Sequence, residues 1–252
     1  MKIYSLFLAV LLLGAFSCSA PKTVSSTQVT TKPEKKEVGV FKFGYISHEI
    51  IDSSMMKPEV AEMMVSMVKP AMENEVVFCD NLVATLMFDP EGNMVSRMVY
   101  DASTSKTYDF RYSPDKNSYF EMDLKSMMKQ IPTTPEDQEF LDKSFKVEPD
   151  NKKEIHGFEC EKVTMYNPEN LEEVIFEAYT TDKVPYMTAA MGPMGSKLKG
   201  LPLESSMNMQ GLKMTSGVIS YGLDETKRVH LQIDTTNFVK LTEDEYGQLM
   251  GN

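Results

Sequence analysis

Three histidines, three cysteines and twenty-one methionines are the side chains that could do chemistry here, and their spacing argues against most of it. His48, His156 and His230 lie far apart, with no H-x-x-x-H or C-x-x-C spacing, so neither a zinc site nor any other metal or cofactor is expected. There is no G-x-S-x-G elbow and no glycine-rich phosphate loop. Neighbouring carboxylates such as Glu172-Glu173 and Asp224-Glu225 are most simply solvated. The expectation is a protein that is not an enzyme.

Methionine is the anomaly. Met64/Met67, Met187/Met191/Met194 and Met207/Met209 have spacings that thioether sites for Cu(I) use, since soft sulfur selects a soft ion. Two other readings compete with copper. Thioethers fill irregular cores well, and a face lined with them stays adaptable, which suits a groove for hydrophobic ligands or partner segments. Met63, Met64, Met67, Met187, Met191 and Met194 are the candidate groove residues.

The first residues bear on where such a groove would work. Lys2 supplies a positive start, Ile3 to Phe16 an apolar run, and Ala15-Phe16-Ser17 leads into Cys18. Residues 1–17 read as a secretory signal, too short for the ~20 apolar residues that span a bilayer. A small residue before a cysteine resembles a bacterial lipoprotein cleavage box. The chain is therefore expected in the cell envelope, an outer membrane lipoprotein held by lipid on Cys18 and facing the periplasm or the surface. Cleavage after Cys18-Ser19-Ala20 would instead give a secreted soluble form. Residues 18–38 are mainly Ser, Thr, Lys and Pro and cannot bury enough surface to order themselves, so they read as a flexible tether.

With Cys18 given to lipid, Cys79 and Cys160 remain for an oxidising compartment. A bridge between them would close a loop worth roughly 4.5 kcal/mol in the chain-entropy model. The alternative is two separate buried thiols. The net charge of −11, with no basic stripe, excludes nucleic acid as a partner.

Residues 39–252 should form one domain, mainly β (α+β): a curved antiparallel sheet or half-barrel with a few helices packed on one face. A strand is expected from Val40 to Ile51. Val60, Met63, Met64, Met67, Val68 and Ala71 then fall on one face of a 3.6-residue period, a helix that should lay those thioethers on the sheet. Pro70 should end it near Lys69.

Hairpin chemistry follows. Strands 81–89 and 94–101 meet across Pro90-Glu91-Gly92-Asn93, and further strands lie at 107–112 and 118–124. Short helices are expected near 124–130 and 135–143. Strands then resume at 144–149, 157–166, 171–181, 203–209, 212–222 and 227–235. In the last, Val229, Leu231 and Ile233 alternate with Arg228, His230, Gln232 and Asp234. Thr242 and Glu245 form a capping box for a final helix.

Within this pattern, Lys153-Glu154-Ile155-His156-Gly157-Phe158-Glu159-Cys160-Glu161-Lys162, followed by Lys199-Gly200-Leu201-Pro202-Leu203-Glu204, resembles a known layout. It is similar to that of the secreted proteins of domain-of-unknown-function family 4412 and the related GLPGLI proteins. The resemblance implies a curved antiparallel sheet akin to the outer-membrane lipoprotein-carrier fold, and an envelope location. It implies no activity and no catalytic residues. The expected function is thus a non-catalytic envelope lipoprotein that binds a hydrophobic ligand or an envelope protein in a Met-rich groove. The alternative is a structural or interaction protein with a filled core.

Overall fold

The protein is seen in a computed structural model that describes residues 36–124, 126, 139, 142–167, 169–186, 198 and 200–251. The signal, Cys18, nearly all of the tether, and Met187, Met191 and Met194 lie outside the described residues. The helices expected near 124–130 and 135–143 lie largely outside them too.

Among the described residues, twelve strands form one open, curved sheet, antiparallel except at one edge. In chain order the elements are β1 (Gly39–Ile50), α1 (Pro58–Met72), β2 (Asn74–Cys79), β3 (Leu82–Phe88), β4 (Met94–Asp101), β5 (Lys106–Arg111) and β6 (Ser118–Asp123). Then come β7 (Phe145–Ile155), β8 (Phe158–Asn167), β9 (Asn170–Thr181), β10 (Leu201–Met209), β11 (Leu212–Leu223), a 3-10 segment (Glu225–Leu231), β12 (Val239–Lys240) and α2 (Glu243–Gly251). The spatial order is β12-β6-β5-β4-β3-β2-β1-β11-β10-β9-β8-β7. Two antiparallel meanders are therefore joined through a single seam, β1 against β11.

Local chemistry sets the turns. His156 and Gly157, at φ of 50° and 85°, make the tight β7–β8 turn that positive φ at both central residues requires. At Gly200 the constraint is contact: any Cβ there would overlap the carbonyl oxygen of Thr181, so only glycine lets β10 start against β9. Between β3 and β4, Asp89 accepts a hydrogen bond from the Asn93 backbone N–H at 2.7 Å and closes the expected hairpin.

The seam carries two bulges, each adding one residue to one strand. Ile46 is extra in β1 and Ile219 in β11, and Gly44 pairs with Gly217 between them. Each isoleucine lies over the glycine of the other strand, and both isoleucines remain exposed.

Curvature is visible in the aromatic core. Phe158 of β8 sits edge-on to Phe41 of β1 with ring centroids 5.0 Å apart, although β11, β10 and β9 intervene in the sheet. Phe41 also touches Phe78 and Tyr221 at 5.0 and 5.2 Å. Only a sheet bent back on itself brings these rings together.

Three sequence expectations need correction. The segment 227–235 is not a strand. Its first part is 3-10 helix, with Leu231 buried while Val229 and Ile233 are exposed. Buried Arg97 explains this: its guanidinium donates to the carbonyls of His230 at 3.1 Å and Gln232 at 3.0 Å, and stacks over Phe110 at 4.2 Å. Carbonyls bonded to that side chain are not open to a ladder.

A strand not expected, β2, follows α1 after the single residue Glu73. Finally, α1 runs on to Met72 with Pro70 inside its last turn, where proline forfeits one hydrogen bond at a place where the ladder is already ending.

Candidate functional site

Helix α1 does dock on the sheet, but rotated from the expected phase. Ala61 and Val65 are buried, and Met64, Val68 and Met72 are half-buried against Tyr45, Ile50, Met209, Leu212 and Met214. Val60, Met63, Met67 and Ala71 face water. Met63 and Met67, named as groove residues, are 56% and 72% exposed, and this corrects the expectation. The reason is steric. Ala61 and Val65 are short, so presenting them lets the helix axis approach the sheet more closely than a row of long thioethers would. The Met64/Met67 pair is thereby split, one sulfur turned to the sheet and the other to solvent, and offers no joint ligand set.

The outer face of α1 is consequently an apolar strip. Met63 and Met67 stand one turn apart with Val60 beside them, and exposed Met55 precedes the helix. Glu59, Glu62, Ser66 and Lys69 flank it. Val60, Met63 and Met67 were legible as one face; what the sequence did not reveal was which way that face points.

Cys79 and Cys160 are free and buried, so the bridge between them is not formed. Successive residues of a strand point to opposite faces. Cys79 packs with Val77 on one face of β2, whereas Cys160 clusters with Val76 and Phe41 on the other. The sheet itself stands between them. Burial pushes the Cys160 thiol up to about 11, against the opposing pull of Lys153, so it stays protonated. The histidines are likewise scattered. His48 Nδ1 bonds the Tyr45 hydroxyl at 2.6 Å, His156 Nε2 meets the Val218 carbonyl at 3.1 Å, and His230 lies in the 3-10 segment. Among the described residues no three His, Cys, Asp or Glu side chains are placed to share a metal ion.

A cleft of about 320 Å³ lies over the seam, lined by Ile46, Ser47, His48, Glu49 and, across β10 and β11, Glu204, Ser206, Lys213 and Thr215. It is polar rather than thioether-lined. Ser206 and Thr215 bond each other through their hydroxyls at 2.8 Å. Glu177 bridges Lys162 at 2.5 Å and Lys213 at 2.7 Å, and Glu204 holds Lys153 at 2.7 Å. Glu177 is the cross-strand neighbour of Ser206, and its carboxylate is taken up by the two lysines.

Glu177 supplies a prediction. Burial works to raise its pKa, but hydrogen bonds from Lys162 and Lys213 win and hold it below the ordinary glutamate range. A carboxylate depressed on folding stabilises above its unfolded pKa, and that stability is lost as pH falls through the folded value. Glu177→Gln should therefore flatten the fall in urea midpoint between about pH 5 and 3, relative to the unaltered chain, which a denaturation series would read.

A second polar cluster sits near the β6 edge. Asp109, fully buried, accepts from Ser96 Oγ at 3.2 Å, from Arg111 Nε and Nη2 at 2.9 and 2.6 Å, and from the Tyr246 hydroxyl at 2.8 Å. Burial first, then the Asp109 charge, push the Tyr246 phenol well above the usual tyrosine range. Tyr246 thus acts as a donor, and the cluster fastens α2 to the sheet.

No protein-family model and no curated protein matches this chain. It is similar to two solved structures of PNGF-II, one in space group C2 and one in P21, with TM-scores of 0.45 and 0.49 and identities of 9% and 7%. Each likeness covers 86% of this chain, but only 33% and 34% of the other. The chain spans about a third of the length of the solved structures it matches, and likeness this distant carries no function across.

Proposed function

We propose that this is a non-catalytic envelope lipoprotein, anchored through Cys18, whose outward α1 strip binds an apolar segment of a protein partner. The supporting observation is the exposure of Met63 and Met67 beside Val60, while the inner side of the same helix is packed against β1 and β11. Exposed thioethers on a helix whose inner side is packed suit a surface that adapts to a partner better than an internal groove for lipid. The resemblance to family 4412 and the signal-like start favour the envelope as the place of work.

Lipid is the less fitting occupant for a reason of position. The tether joins ahead of Gly39, whereas α1 packs along the second half of β1, from Tyr45 to Ile50, roughly 20 to 35 Å away at ~3.3 Å per residue. The acidic chain also gains nothing from anionic headgroups.

A photo-crosslinking residue at position 67, activated in the native envelope, should trap one dominant protein. With the photo-crosslinking residue moved to exposed position 60, Met63→Lys with Met67→Lys should abolish that adduct while changing stability by no more than about 0.5 kcal/mol, as exposed positions do. Adducts to lipid alone, or co-purification of stoichiometric lipid with the unlipidated domain, would count decisively for the other occupant.

A further inference from the structure

The C-terminal tail is fastened to the sheet in an unusual way. After Leu231 the chain runs exposed from Gln232 to Asp234, then clips around the edge strand β6. On one face Phe238 packs edge-on to Phe110 at 4.9 Å and Tyr112 at 5.5 Å. At the edge, β12 pairs in parallel with β6, Val239 N–H donating to Asn117 O at 3.1 Å and Leu241 N–H to Tyr119 O at 2.8 Å. Lys240 Nζ reaches Glu121 at 3.0 Å. On the other face, Tyr246 stacks on Phe120 at 4.3 Å and donates to Asp109. Tyr119 and Phe120 are consecutive, so their side chains mark opposite faces of the strand.

Between these holds the tail touches little. Of α2, Tyr246 alone is half-buried among the residues from Glu243 to Leu249. A segment fixed by two aromatic sockets and a two-residue strand opens locally far more readily than the sheet it covers. Adding a strand at a sheet edge, with side-chain sockets on each face, is also how sheets recognise peptides.

We propose that the β6 edge is a docking site for this tail that can be exchanged between copies of the chain, so that the tail of one molecule fills the edge of a second. A second copy is the fitting partner because its tail carries the same two aromatics at the same spacing, and a lysine between them that meets Glu121. The exposed connector at Ile233–Asp234, beyond the Gln232 carbonyl that Arg97 holds, lets the tail leave while Leu231 keeps its place. Exchange of an identical element needs no new complementarity.

The test uses the full chain and a labelled peptide of residues 235–252. Tyr246→Ala should free the edge and bind the peptide at least tenfold more tightly than the unaltered chain does. A peptide carrying Tyr246→Phe should lose about tenfold, the value of one hydrogen bond to a carboxylate. No gain on Tyr246→Ala, or equal binding of both peptides, overturns the proposal. Should that variant not fold, Tyr246→Phe in the full chain serves instead. Amides of 239–249 should then exchange about tenfold faster while β3 and β4 stay unchanged, and undiminished protection in the tail overturns it.

Discussion

Phe41→Ala should lower the unfolding free energy by about 4 kcal/mol, the middle of the range for deleting a buried aromatic. Phe41 is fully buried and sits where the sheet bends back, touching Phe43, Phe78, Phe158 and Tyr221. Those partners come from β1, β2, β8 and β11, so no single strand can move in to fill the space. Phe158 and the β7–β8 turn would lose the ring they close against. The urea midpoint measures the loss, and Phe41→Leu should recover roughly half of it by refilling most of the volume. A cost under about 1.5 kcal/mol would show that the rings do not hold the curvature.

The second large effect is expected at Asp109. Asp109→Ala should cost about 3 kcal/mol, because breaking a buried ion pair leaves its partner uncompensated. The figure sits at the low end since the Arg111 side chain keeps 27% of its exposure and can be partly rehydrated. Ser96 Oγ and the Tyr246 hydroxyl would lose their acceptor at the same time. Two observations separate this from a simple cavity. Asp109→Ala should speed amide exchange in α2, and Asp109→Ala combined with Tyr246→Phe should cost less than the sum of the two. Additive losses would mean that the carboxylate and the tail are not coupled.

How far the sequence spoke depended on whether neighbours or distant residues made the decision. The hairpins at 82–101 and 158–181 were legible because glycine, asparagine and proline fix the turns and alternation fixes the strands. The Thr242–Glu245 capping box is present as expected, Thr242 N–H donating to Glu245 at 2.8 Å. The 227–235 segment failed for a distant reason, since its carbonyls bond to Arg97 on β4. Helix α1 failed in phase because Ala61-Val65-Val68 and Val60-Met63-Met67 are equally periodic. Hydropathy could not choose between them, and closeness of packing did. Asp109 was hidden by similar logic. It alternates with Tyr108 and Phe110 as a wet residue would, yet both faces of β5 are covered, one by the Phe238 side and the other by Tyr246.

The seam has a kinetic meaning. Each meander can zip up from contacts near in sequence, but Gly39 must find Leu223 and Ile50 must find Leu212, with most of the chain between them. Search over so long a loop is slow, so this pairing should be the last to form. Until then a newly made chain would carry two bare, pairing-hungry borders in what later becomes its middle, the kind of surface that aggregates. A cell making this protein must deliver β11 promptly, or shield β1 while it waits.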